Sequence, residues 1–359
     1  MVFRHAASAV RPRLSRANVV VSACVAVLLS SAWVQGAAQS SATVQATPPQ
    51  PAGLPPSPPN GHYPVTINDC GVTTTYTHAP ARAITIEESS TEFMLALGLQ
   101  KYMVGTAYID SPILPKFKAA YDKIPVLSQT SVSEEIVLKH HPNFVYAAYG
   151  DQFSSSGGSG TRDSLAKAGV DTFLSPADCI SDSPGNHQIS FDTVWSEIQD
   201  LGEIFGVENR ADALIDSQQH ELAAITAHGM PFAGLKVFWY DSDTTPPYVG
   251  ACCGVPELLM STLGATNIFS NAPGGWANGN WETVVSSDPN VIVFDDAVWD
   301  TTHHKVKFLE SYDATKNLPA VTNRDFISIP FAYITPSVRN ISALQILTSD
   351  LKKLHLAKG

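Results

Sequence analysis

The stretch Glu135-Ile136-Val137-Leu138-Lys139-His140-His141-Pro142-Asn143-Phe144-Val145 reads as a short helix stopped at a proline and followed at once by an apolar strand. Proline removes a helical hydrogen bond and disfavours the helical region for the residue before it, so Pro142 suits a helix-to-strand junction. The same order returns at Glu282-Thr283-Val284-Val285-Ser286-Ser287-Asp288-Pro289-Asn290-Val291-Ile292. In both, a glutamate stands seven residues before a Pro-Asn pair that opens a strand. A second pair of signals precedes each. Thr91-Glu92-Phe93-Met94-Leu95-Ala96-Leu97-Gly98 is a helix closing on glycine with a strand soon after, and so is Pro256-Glu257-Leu258-Leu259-Met260-Ser261-Thr262-Leu263-Gly264. Two matches in the same order predict two lobes of related design.

Outward from these stretches, strands alternate with helices. Ala83–Ile86, Met103–Tyr108, Phe144–Ala148 and Val170–Leu174 are strand candidates in the first half, and Leu235–Tyr240, Thr266–Phe269, Val291–Phe294 and Phe326–Pro330 in the second. Such alternation implies parallel sheets with helical crossovers. Between the halves, residues 207–229 hold no internal proline or glycine, and Ala211, Leu214, Ile215, Leu222 and Ile225 fall on one face at helical spacing. Gly229 is the expected stop. The organisation read from the chain is a leader over residues 1–38, a tether over 39–62, a first lobe over 63–206, a linker helix over 207–229 and a second lobe over 230–359.

The leader rests on an arginine-rich start, an apolar run from Ala17 to Val34, and the small residues Gly36, Ala37 and Ala38, the order of a secretory signal. Val21-Ser22-Ala23-Cys24 also resembles a lipobox, and the apolar run is long enough for an uncleaved anchor, so lipidation, cleavage and anchoring stay open. The Pro- and Ser-rich segment that follows cannot bury a core and reads as extended. Cys70, Cys179, Cys252 and Cys253 follow no zinc spacing; export permits disulfides, with Cys252–Cys253 as a vicinal pair and Cys70–Cys179 as the other, or cross-paired. The sequon Asn340-Ile341-Ser342 matters only in a glycosylating host. The formal net charge of −11 argues against a nucleic-acid partner.

From Tyr63 to Leu354 the sequence resembles the substrate-binding proteins of ABC importers for ferric siderophores, haem and vitamin B12. The stretches that carry the resemblance are Ala81 to Gly105, Glu135 to Val145, Leu201-Gly202-Glu203-Ile204-Phe205-Gly206, and Trp281-Glu282 through Phe294. It implies two Rossmann-like α/β lobes joined by a single long α-helix, with the ligand cleft between them. It also implies an exported monomer, at the cell surface or in the periplasm, that binds a metal chelate and delivers it to an ABC permease dimer, with the membrane reached only through its leader or a lipid anchor. In such proteins one surface glutamate per lobe docks onto permease arginines. The matching positions are Glu135 and Glu282, with Glu134 adjacent to the first.

Ligands of open α/β sheets sit beyond the carboxyl ends of strands. That rule selects Glu88, Ser89, Tyr108 and Tyr149 in the first lobe and Trp239, Tyr240, Tyr248, Trp276, Trp299 and Arg339 in the second. Aromatic groups recurring at strand ends suit a bulky, partly apolar ligand. The candidate loops are acidic and poor in arginine, whereas a strongly anionic chelate needs an arginine cluster. A neutral or cationic chelate follows, such as a ferric hydroxamate. Cobalamin or haem binding, direct metal-ion binding and a chelatase-like enzyme are the alternatives. His140-His141 and His303-His304 fall in polar stretches, and neither is taken as a metal site. Without a P-loop, a Gly-x-Ser-x-Gly elbow or a His-Glu-x-x-His motif, the expectation is a binding protein, not an enzyme, with no covalently bound cofactor.

Overall fold

The computed structural model describes residues 63–181, 187–227 and 229–356, so the readings of leader, lipobox and tether lie outside the described residues. Thirteen strands are present among them: β1 Val65–Asp69, β2 Val72–Tyr76, β3 Ala83–Ile86, β4 Met103–Ala107, β5 Val126–Ser128, β6 Phe144–Ala147, β7 Asp171–Leu174, β8 Lys236–Ser242, β9 Tyr248–Gly250, β10 Thr266–Asn267, β11 Trp276–Asn278, β12 Val291–Asp296 and β13 Phe326–Pro330. The chain forms two α/β lobes. The first is built on a parallel sheet in the order β5-β4-β3-β6-β7, and the second on β11-β9-β8-β12-β13, with β10 also pairing β8. In the second sheet β10, β8, β12 and β13 are parallel, and β9 and β11 form an antiparallel extension. An antiparallel hairpin, β1-β2, precedes the first lobe.

Strands of a parallel sheet with helices on both faces are apolar along their whole length. Alternate residues of one strand therefore enter different cores. Phe144 and Tyr146 of β6 pack into one cluster with Phe93, Leu201 and Phe205, while Val145 and Ala147 pack into another with Val137 and Leu165. The second lobe repeats this, with Val237 and Trp239 of β8 facing one cluster and Phe238 and Tyr240 the other.

The repeated Pro-Asn signal has a common geometric cause in both lobes. The residue before each proline is left-handed, His141 at φ 46° and Asp288 at φ 47°. That turn reverses the chain from helix into strand. The asparagine then locks the new strand to its neighbour. Asn143 Oδ1 accepts from the backbone N–H of Ala81 (3.1 Å) and Arg82 (2.8 Å), just before β3. Asn290 Oδ1 accepts from the N–H of Lys236 (2.7 Å), the first residue of β8.

The 19-residue helix Glu208–Thr226 runs about 28 Å. Leu214 and Ile215 pack on the first lobe's core, and Leu222 and Ile225 on the second's. Trp195 Nε1 donates to Gln218 Oε1 at 3.0 Å, tying this strut to the helix Phe191–Phe205. Two disulfides form, Cys70–Cys179 (Cα–Cα 5.8 Å) and the vicinal Cys252–Cys253. The first joins the β1-β2 turn to the helix Pro176–Ser181. Asn340, in the sequon, is buried, and its amide donates to the carbonyls of Tyr333 (3.0 Å) and Thr335 (2.8 Å).

Candidate functional site

A cavity of about 150 Å³ lies between the lobes. Tyr149, Asp178 and Ser181 line it from the first lobe, and Tyr248, Trp276 and Thr335 from the second. The first-lobe wall forms beyond the carboxyl ends of β6 and β7, the side on which open α/β sheets present ligand-binding loops. Gly150 donates its N–H to Asp178 Oδ2 at 2.9 Å, which fixes the loop carrying Tyr149. On the other wall Gly254 packs so closely on Gly275 that a Cβ on Gly254 would lie 2.9 Å from the Gly275 Cα. Two side-chain-free positions thus bring the loops before Val255 and Trp276 together.

The second-lobe wall carries a row of aromatic rings. Tyr248 stacks on Trp276 with centroids 6.4 Å apart, and Trp276 stacks on Phe331 at 6.4 Å. Trp299 meets Phe331 edge-on at 4.7 Å and is 50% exposed. The strands and short loops that hold these residues are far apart in sequence, so the row exists only in the folded chain.

The structure sorts the expected site residues into three groups. Tyr149, Tyr248 and Trp276 line the cavity, and Trp299 extends their wall. Tyr108, Glu88 and Ser89 lie at the carboxyl ends of β3 and β4; Tyr108 is half-buried, and Glu88 and Ser89 are buried at the start of the helix Glu88–Ala96. Trp239, Tyr240 and Arg339 are corrections to the sequence reading. Trp239 is fully buried and donates its Nε1–H to Asp295 Oδ1 at 2.5 Å, and Tyr240 is fully buried on the opposite face of β8. An aromatic group at a strand end reaches a loop only if the sheet face there is open, and here both faces are covered. Arg339 is 4% exposed and engaged with Glu92. Phe331 was not singled out from sequence; its neighbours in the row come from three other segments, so no local spacing marks it.

The charges around the first-lobe wall are acidic. Burial, reinforced by the neighbouring carboxylates Glu87, Glu88, Asp178 and Asp110, pushes the Tyr149 phenol well above its ordinary pKa, so Tyr149 presents a neutral hydroxyl. The three carboxyl groups of Glu87, Glu88 and Asp110 gather within 4.8 Å of one another.

Glu135 and Glu282 occupy equivalent positions, each at the start of the helix that precedes a Pro-Asn junction. Ser133 caps the helix Glu134–Lys139 and Asn280 caps the helix Trp281–Ser287, each side chain accepting from the backbone N–H three residues on. Each glutamate is exposed and stands two residues after its cap. A negative charge there is favoured by the helix N-terminus.

A family model described as "Periplasmic binding protein" matches residues 84–333, a span that holds both sheets and the connecting helix. The chain belongs to this family. A curated relative, an uncharacterized ABC transporter substrate-binding lipoprotein (YvrC) of Bacillus subtilis, is 25% identical over 279 residues, 77% of this chain and 81% of its own. A periplasmic binding protein from Veillonella parvula superposes with a TM-score of 0.71 at 28% identity, covering 80% of this chain and 97% of that one. An ABC-type Fe3+-hydroxamate transport system structure from Saccharomonospora viridis gives 0.67 at 23% identity, covering 81% and 99%, a likeness of fold. This periplasmic binding protein has no described helix long and apolar enough to cross a membrane.

Proposed function

We propose that this periplasmic binding protein captures a metal chelate, of the ferric hydroxamate type, in the interlobe cleft and delivers it to an ABC permease without chemical turnover. The carrying observation is that Tyr248 and Trp276 line the cavity together with Tyr149, and that Phe331 and Trp299 continue the aromatic row beyond Trp276. Such a wall suits a ligand with a broad apolar surface and few charges. The acidic surroundings of Tyr149, and an Arg339 already paired with Glu92, favour a neutral or cationic chelate over an anionic catecholate or citrate complex. A structure from an ABC-type Fe3+-hydroxamate transport system stands among the similar folds, beside haem- and vitamin B12-binding proteins.

A cavity of about 150 Å³ is smaller than the several hundred Å³ of a typical ligand cleft, so chelate binding widens it. The proposed partners are the chelate and a permease dimer. Glu135 and Glu282, equivalent and exposed, supply one docking charge per lobe, and the folded monomer sits outside the cytoplasmic membrane, secreted or held there by its N-terminus. Tryptophan quenching against ferric hydroxamates, ferric catecholates, haem and cobalamin tests the ligand class. The expected result is a 1:1 complex with the hydroxamate at micromolar affinity or tighter, about −8 kcal/mol or better. Tighter binding of haem or cobalamin moves the ligand class, and consumption of the chelate replaces the reading with an enzyme.

A further inference from the structure

We infer that Glu87, Glu88 and Asp110 form a binding site for a hard metal cation of the calcium class, distinct from the aromatic cavity. Each residue offers a carboxylate oxygen, and the three lie within 4.8 Å of one another. Ions of this class hold oxygens at about 2.3–2.6 Å, so oxygens on one ion are separated by up to roughly twice that distance. The donor set contains no nitrogen or sulfur, which selects hard ions over soft ones.

A second observation makes this more than a cluster of acids. Glu88 is fully buried, and no donor outside the three acids reaches either of its carboxylate oxygens; the same holds for Glu87 Oε1 and Asp110 Oδ1. Other buried acids of the first lobe have donors: Arg339 holds Glu92, Arg162 holds Asp69, and the hydroxyls of Tyr146 and Ser175 donate to Glu197. Among the described residues no Lys, Arg or His forms an ion pair with Glu87, Glu88 or Asp110. Buried carboxylates left in this state are costly. A bound cation supplies the missing counter-charge.

The backbone prepares the donors. Glu87 sits at φ 85° between β3 and its helix, and the Ser89 N–H and hydroxyl both donate to its Oε2, which leaves Oε1 for the cluster. The Glu87 N–H donates to the Ala107 carbonyl at the end of β4, so the β3 and β4 loops are joined where Asp110 enters. Asp110 is partly exposed and gives the ion a route in. The residues come from two loops with no metal-type spacing, which is why the sequence pointed to no metal here.

The inference does not rest on the chelate reading, and its test separates the two. Terbium(III), a luminescent stand-in for calcium, is titrated into the mature protein while tyrosine and tryptophan are excited, and calcium and magnesium chloride are then added as competitors. The expected result is emission saturating at one equivalent, displaced by calcium, with a calcium-dependent rise in Tm. Glu88→Gln should weaken terbium binding at least tenfold. Because a change at Glu88 also alters buried packing, Asp110→Asn at the partly exposed rim is the second variant, with the same expected loss; Glu221→Gln, exposed on the long helix, should leave binding unchanged. Absence of saturable emission, or binding undiminished in both Glu88→Gln and Asp110→Asn, overturns the site. A Glu88→Gln protein that is simply more stable, with no cation response in the parent, also overturns it and means that the three acids share protons instead. Hydroxamate quenching measured with and without calcium reports on the aromatic cavity separately.

Discussion

Arg339 and Glu92 stand 247 positions apart in the chain and meet as a buried bidentate pair, Nε to Oε2 and Nη2 to Oε1 both at 2.7 Å. Glu92 lies on the helix that follows β3, and Arg339 caps the helix Asn340–Lys353 of the other lobe. The same guanidinium also donates to the Pro112 carbonyl at 2.8 Å, and Glu92 Oε1 accepts from the Leu114 N–H at 2.7 Å. One ion pair therefore joins the two lobes beside the long helix. Removing one partner strands a buried charge, so Arg339→Met alone should cost about 3–5 kcal/mol, while Arg339→Met with Glu92→Leu should recover most of that loss. Urea denaturation measures both. A double variant no more stable than the single one would show that packing, not the stranded charge, sets the cost.

Reversing both proposed docking charges, Glu135→Lys with Glu282→Lys, should abolish uptake in cells while leaving chelate affinity within about twofold. The separation follows from geometry, since both residues are exposed at capped helix starts and neither lines the cavity. Each single reversal should weaken uptake, because a paired partner loses one contact and gains a repulsion. Loss of chelate affinity in a folded double variant would place these residues at the ligand instead.

Trp276 is the centre of the aromatic row, stacked on Tyr248 and on Phe331. Trp276→Ala should weaken chelate binding by on the order of tenfold to a hundredfold, the range of a central aromatic anchor. Trp239→Phe, a change inside the core, should alter stability and leave affinity near the parent value. Calorimetry on both variants distinguishes a cleft wall from a core side chain.

Glu197 is fully buried and accepts from the Tyr146 hydroxyl and from Ser175 Oγ at 2.8 Å. Burial raises its carboxyl from 4.5 to about 8. The folded state then holds a proton that the unfolded chain has released. This stabilising contribution is fully present below about pH 4.5 and is lost as pH rises through about 8. Glu197→Gln keeps a neutral acceptor at the site, so its Tm relative to the parent should rise between about pH 5 and pH 8 and level off above it. A difference that stays flat over that interval would mean that Glu197 is ionised throughout.

The sequence carried the sheets well where burial made strands continuous: Ala83–Ile86 and Phe326–Pro330 are strands at the expected bounds. The hairpin β1-β2 was not read, because Val65-Thr66-Ile67-Asn68-Asp69 and Val72-Thr73-Thr74-Thr75-Tyr76 are mostly polar and face solvent on one side. The three-residue strands β9 and β11 are too short to show a period, yet they hold Tyr248 and Trp276. At the site, the rule that ligands gather at strand ends selected Tyr149, Tyr248 and Trp276, which line the cavity, although Tyr248 and Trp276 open their strands. It also selected Trp239 and Tyr240, since local sequence does not reveal that both faces of β8 are covered. The partner of Arg339 lay too far along the chain to be inferred, and the meeting of Glu87 and Glu88 with Asp110 depends on how two loops close over parallel strands.

The burial of Asn340 has a practical corollary for anyone expressing this protein in yeast or animal cells. Its side-chain amide is spent on the carbonyls of Tyr333 and Thr335, and its Oδ1 accepts from the Ser337 N–H at 2.9 Å. Oligosaccharyl transfer can reach it only before the helix Asn340–Lys353 docks, and a glycan attached at that moment would bar the docking. Secretory yield in such hosts should therefore be restored by Ser342→Ala, which silences the acceptor motif and spares those three bonds, whereas Asn340→Gln would lose them.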